Sequence, residues 1–109
     1  MSVHPILGEL DPDPLDPAQV VAGEPATADL TLAESPGGET AGLWSCTPGS
    51  FTDTEVEESF VVISGRATIG YEDGTVVALR PGTVHRFAGG ERTVWTVEEK
   101  LLKAYWIAG

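Results

Sequence analysis

Glu58-Ser-Phe-Val-Val-Ile-Ser-Gly65, followed by Gly74-Thr-Val-Val-Ala-Leu-Arg-Pro81-Gly82-Thr-Val-His85, is the stretch that decides the fold class of this chain. The first run is apolar and rich in β-branched residues, and it stops at Gly65, a residue that takes positive φ without a Cβ clash. Glu72-Asp73-Gly74 and Pro81-Gly82 punctuate the residues after it, so short strands succeed one another as in an antiparallel sheet. Working outward, the alternation predicts strands over 28–33, 41–47, 57–64, 66–72, 75–79, 84–88, 92–98 and 101–108, with 51–54 pairing at an edge. No room is left for a long helix. Many short strands with regular turn signals predict an all-β sandwich or barrel.

Period-two alternation also assigns faces. Glu58, Phe60 and Val62 share one side of their strand, and Ser59, Val61 and Ile63 the other. Both sides are largely apolar, which predicts a barrel wall whose outer face, including Val61 or Ile63, is covered by a second copy. A homodimer is therefore expected. His85 with Phe87, Trp95 with Val97, and Lys103 with Tyr105 and Ile107 are expected to join Glu58 on the inner side.

Residues 1–19 differ in character. Pro5, Pro12, Pro14 and Pro17 alternate with Glu9, Asp11, Asp13 and Asp16, which predicts an extended arm preceding a single domain over 20–109. Asp16-Pro17 could cap one helical turn within it. The 109 residues carry 17 acids against 6 bases, a formal charge of -11 that repels phosphate backbones and anionic lipid. Neither a nucleic-acid nor a membrane partner is expected. Without a charged start followed by an apolar core, and without an apolar run near the ~20 residues that cross a bilayer, the expected location is the cytoplasm. Cys46, alone, reads as a small buried side chain beside Trp44.

The two quoted stretches resemble the paired motifs of the cupin superfamily, G-(x)5-H-x-H-(x)3,4-E-(x)6-G and G-(x)5-P-x-G-(x)2-H-(x)3-N. Glu58 and Gly65 match the second half of the first motif. Gly74, Gly82 and His85 match the second, with Arg80 where proline and Gly89 where asparagine are usual. Segments 42–51, 95–98 and 103–105 are similar to small cupins related to ureidoglycine aminohydrolase and to an ethanolamine-utilisation accessory protein. The resemblance implies a double-stranded β-helix, or jelly-roll, barrel of the RmlC-like kind.

It also implies a site, in altered form. Counting back from Glu58, the H-x-H pair falls on Phe51 and Asp53, or on Thr52 and Thr54, so no histidine pair is present. His4, the other histidine, lies in the arm. Asp53, Glu58 and His85 remain as metal-ligand candidates, a set expected to hold manganese, iron, nickel or zinc only weakly. Glu58 and His85 are the candidate catalytic acid and base, with His85, Lys103 or Arg66 as the partner that a semi-buried Glu58 needs. Trp44, Phe60, Trp95 and Tyr105 are expected to wall a ligand pocket, and Lys103 either snorkels at its mouth or meets a carboxylate. The functional expectation is a small-molecule-binding cupin. A metal-dependent enzyme resembling ureidoglycine aminohydrolase and a non-catalytic accessory protein are the alternatives.

Overall fold

The computed structural model describes residues 10–108, so His4 lies outside the described residues. Nine strands are present among them: β1 (Asp11–Pro12), β2 (Val20–Gly23), β3 (Thr27–Glu34), β4 (Thr40–Cys46), β5 (Gly49–Thr54), β6 (Glu58–Tyr71), β7 (Val76–Leu79), β8 (Val84–Phe87) and β9 (Arg92–Ile107). The chain forms the expected jelly-roll barrel, and two long strands account for its curl. β6 and β9 pair antiparallel from Glu58↔Ile107 to Tyr71↔Thr93. On one wall the first half of β6 and the second half of β9 sit between β8 and the series β4, β3, β1. On the other wall their remaining halves sit between β7 and the pair β5, β2.

The bend between walls falls at Gly65. Alternation predicts two strands separated by a turn there, whereas the hydrogen-bonded ladder runs through a corner, with register shifts between Val62 and Ala67. Gly65 has φ +91°, and a Cβ at this position would stand 2.1 Å from the Lys100 carbonyl oxygen. The backbones of β6 and β9 therefore touch where only glycine fits. The same corner joins 92–98 to 101–108 into one strand.

The predicted faces are observed. Phe60, Val62, Phe87, Trp95, Val97 and Leu101 fill the interior, while Ile63, Val84 and Trp106 are exposed on the outer side. No helix of the described residues is long and apolar enough to cross a membrane.

Residues 11–19 are strapped to the barrel. β1 pairs with β3, the Asp13 amide donates to the Thr27 carbonyl at 2.9 Å, and the Thr27 hydroxyl donates back to the Asp13 carbonyl. Asp16 caps a 3-10 turn over Pro17–Gln19, as its sequence predicts, and Gln19 completes a capping box. The Gln19 side-chain amide then donates to the Thr52 carbonyl at 3.0 Å, and Leu15 packs against the core. β2 is not among the expected strands, because its four residues are all exposed and carry no alternation.

Gly65→Ala is expected to lower the free energy of unfolding by roughly 3 kcal/mol or more, since it combines a strained φ with a backbone clash. Gly74→Ala, at φ +90° but with open space around the new Cβ, is expected to cost about 1–2 kcal/mol. Urea denaturation of the two variants measures the difference, and equal losses would show that the corner contact is unimportant.

Candidate functional site

A cavity of about 380 Å³ lies inside the barrel under the strap. Asp13, Pro14, Leu15 and Gln19 roof it, and its walls include Trp44, Phe51, Asp53, Glu55, Glu58, Trp95, Lys103 and Tyr105. The aromatic wall follows from strand register. Phe51 and Trp95 are direct cross-strand partners, so their rings lie 5° from parallel with centroids 6.0 Å apart. Trp44 tilts against Trp95 at 5.5 Å.

Lys103 is the cross-strand partner of Trp44 and points inward. Its ammonium lies 4.7, 4.5 and 4.9 Å from the ring centres of Trp44, Phe60 and Trp95, and 2.7 Å from Glu58 Oε2. Lys103 is 5% exposed, so it does not snorkel to water at the mouth. It meets a carboxylate instead, and that carboxylate belongs to Glu58. The three rings supply cation–π attraction in place of solvent. Arg66 plays no part, because it bridges Glu98 and Glu99 at the surface, each at 3.3 Å.

Two further acids of the cavity lie on β5 and its extension, and the sequence pattern exposes only one of them. Phe51, Asp53 and Glu55 share the inner face of β5 and its extension, two residues apart. Glu55, at 8% exposure, accepts hydrogen bonds at Oε2 from the Thr93 hydroxyl (2.5 Å) and the Trp95 indole N–H (2.9 Å). Burial raises its pKa from 4.5 to about 7; these two donors and Lys103 oppose the rise, and the Asp53 charge adds to it. Burial raises Asp53 as well, opposed by the Thr54 amide, the Glu55 side chain and Lys103. Extending the Phe51/Asp53 face by one more period of two would have revealed Glu55.

Glu58 and His85, the expected acid and base, are engaged with different partners. His85 Nε2 lies 2.5 Å from the Tyr71 hydroxyl, and its ring meets the edges of Phe87 and Phe60 with centroids 5.1 and 5.8 Å away. Phe60 and Phe87 in turn pack against Trp95, and His85 is not a lining residue of the cavity. Burial holds its imidazole below the ordinary pKa, with Glu91 opposing and Lys103 assisting. Asp53, Glu58 and His85 are therefore not brought together as metal ligands. Among the described residues no group of three or more His, Cys, Asp or Glu side chains is placed to hold a metal, and Glu58 already has an ammonium as its counter-ion. The residues present do not fit the metal centre that the motif resemblance implies.

The other expected pocket residues divide between the cavity wall and the layer behind it. Trp44, Trp95, Lys103 and Tyr105 line the cavity, and Phe60 stands behind it under the Lys103 ammonium. The Tyr105 hydroxyl donates to Asp29 Oδ1 at 2.7 Å. Cys46 is fully buried, and burial pushes its thiol up to about 11, so it is inert packing.

Lys103→Met leaves Glu58 buried without a counter-charge and is expected to cost roughly 3–5 kcal/mol, whereas the double variant Glu58→Gln/Lys103→Met should recover most of it. Chemical denaturation of both variants tests this, and a single variant as stable as the parent would contradict it. Glu55 sets a pH dependence. A carboxyl raised on folding binds more protons in the folded than in the unfolded state between pH 4.5 and about 7, so stability falls as pH rises through that window. Glu55→Gln is expected to leave only a smaller slope from Asp53, and to exceed the parent at pH 8 by up to about 3 kcal/mol. Thermal melts from pH 4 to 9 would refute this if the slope were unchanged.

Comparison with known proteins accords with the geometry. Residues 33–105 match the EutQ-like cupin domain. A protein of unknown function of the DUF861 family from Pseudomonas syringae pv. tomato superposes with a TM-score of 0.81 at 24% identity, over 90% of this chain and 43% of that one. The chain thus spans less than half the length of that relative. A structure of unknown function from Rhizobium leguminosarum gives 0.65 at 29% identity over 73% of this chain and 78% of the other. The Clostridium difficile EutQ protein gives 0.68 at 18% identity, over 77% and 68% respectively, a likeness of fold alone. No curated protein matches. Its matched span and its barrel place this chain in one family: it belongs to the EutQ-like cupin domains.

Proposed function

We propose that this chain binds a small organic molecule inside its barrel, without a tightly held metal ion. The cavity carries the reading. Its volume lies in the range of small-molecule sites, its walls are aromatic, and a few polar groups converge at one side. The strap of residues 13–19 covers it, as a site that must exclude bulk water requires.

Of the expected acid and base, Glu58 serves as the counter-ion of Lys103, and His85 bonds Tyr71 behind the aromatic layer. The cavity's capacity to accept or donate a proton therefore rests on Asp53 and Glu55. A metal-dependent reaction like that of ureidoglycine aminohydrolase would need donors that the described residues do not assemble. An accessory role acting through the outer surface draws support from the exposed Ile63, Val84 and Trp106, the face that the expected homodimer would cover. Such a role leaves the interior cavity without a purpose.

Tryptophan emission gives a direct test, because Trp44 and Trp95 line the cavity while Trp106 lies outside at 54% exposure. In a Trp106→Phe protein, a panel of small amines, amides, ureas and carboxylic acids is expected to include compounds that change the emission saturably. The same compounds should raise the melting temperature. A panel that moves neither signal would count against the binding reading.

A further inference from the structure

We infer that the ligand is a small planar organic cation of the amidinium or guanidinium type, held by the Asp53 and Glu55 carboxylates beside the ring of Trp44. The inference rests on the binding reading above and narrows it to one chemistry.

Charge balance within the cavity is the first argument. Asp13, Asp29, Asp53, Glu55 and Glu58 line it, and Lys103 is the one basic side chain among the lining residues. Lys103 is committed to Glu58, and Asp29 accepts the Tyr105 hydroxyl. Asp53 Oδ1 takes the Thr54 amide at 2.9 Å, and Glu55 Oε2 takes both Thr93 and Trp95. Among the described residues no basic side chain bonds either acid, and the Lys103 ammonium acts on both only from its place beside Glu58. Glu55 is 8% exposed, so an ionised carboxylate there is costly unless a cation meets it in the cavity. An anion is repelled here, and a neutral amide leaves the negative charge uncompensated.

The second argument is independent of the acids. The same cavity already holds one cation, the Lys103 ammonium, against three aromatic rings at 4.5–4.9 Å. Its walls are thus of the kind that stabilises a desolvated organic cation. A bare metal ion is not the occupant that the geometry fits, since no three donors converge among the described residues. A forked N–H donor answers two separated carboxylate oxygens and presents a flat face to an aromatic wall.

Acetamidinium, acetamide and acetate have nearly the same shape and carry one positive, no and one negative charge, so they isolate the charge term. Titrating each into the full chain at pH 8, with amide chemical shifts of the cavity residues as the readout, is expected to rank acetamidinium at least about tenfold tighter than acetamide, with acetate last. Glu55→Gln and, separately, Asp53→Asn should each bring the ratio towards one. Glu24→Gln removes the same charge from an exposed position and should leave the ratio unchanged. Acetamide binding as tightly as acetamidinium would overturn the cation assignment while leaving the binding reading intact. A ratio unchanged in both cavity variants, or lost equally in Glu24→Gln, would show that the net charge of the chain and not this pair selects the cation. If none of the three compounds shifts a cavity resonance, the cation assignment fails, and the binding reading fails with it only if the wider panel is silent too.

Discussion

The pairing of β6 with β9 along both walls is the constraint on which the rest of the structure depends. Each strand belongs to both walls, so neither wall can move independently, and every other strand attaches to one of these two directly or through the strands between. Such a ladder can turn a corner only where the two backbones approach without side chains between them. Gly65 against Lys100 supplies that place. Once the corner is set, period-two alternation sends Glu58, Phe60, Ile69, Trp95, Lys103 and Tyr105 to the inside, and the cavity is the space those side chains leave open.

Electrostatics inside that space is hierarchical. A lone buried carboxylate is costly, and Glu58 is stabilised by an ammonium that is itself held by three rings. With Lys103 bonded to Glu58, its charge opposes but does not cancel the rise that burial imposes on Asp53 and Glu55. The unmet charge of the second pair is thus a consequence of the satisfied charge of the first.

Strand phase was legible from the sequence within each half-strand, although the corner bulges reverse it along β6, where Phe60 and Val62 and then Ala67 and Ile69 face inward. His85 and Phe87, Trp95 and Val97, and Lys103 and Tyr105 all face inward as expected. Pairing between side chains was not legible. Glu58 and His85 occupy motif positions on neighbouring strands, yet the register sets Glu58 opposite Phe87 and His85 opposite Phe60, and the intervening aromatic layer separates their polar atoms. Which of three candidate partners Glu58 takes depends on the β6–β9 register, which places Lys103 across from Val62 and Arg66 across from Glu99. Glu55 escaped notice for a different reason. It lies just beyond the end of β5, where alternation is no longer enforced by pairing, and its side chain reaches back to Thr93 and Trp95.

The strap resolves what composition alone left open. Proline and aspartate deprive residues 11–17 of backbone donors and of apolar bulk, so this segment cannot fold by itself. It has one apolar side chain to bury, Leu15, and a few hydrogen bonds to make, through Asp13 to Thr27 and through Gln19 to Thr52. Those contacts span β3 and β5, the strands of opposite walls that flank the cavity. Holding both rims with so few bonds makes the strap the least costly part of the barrel to open. A ligand could therefore enter beneath it without disturbing the β6–β9 ladder on which the walls depend.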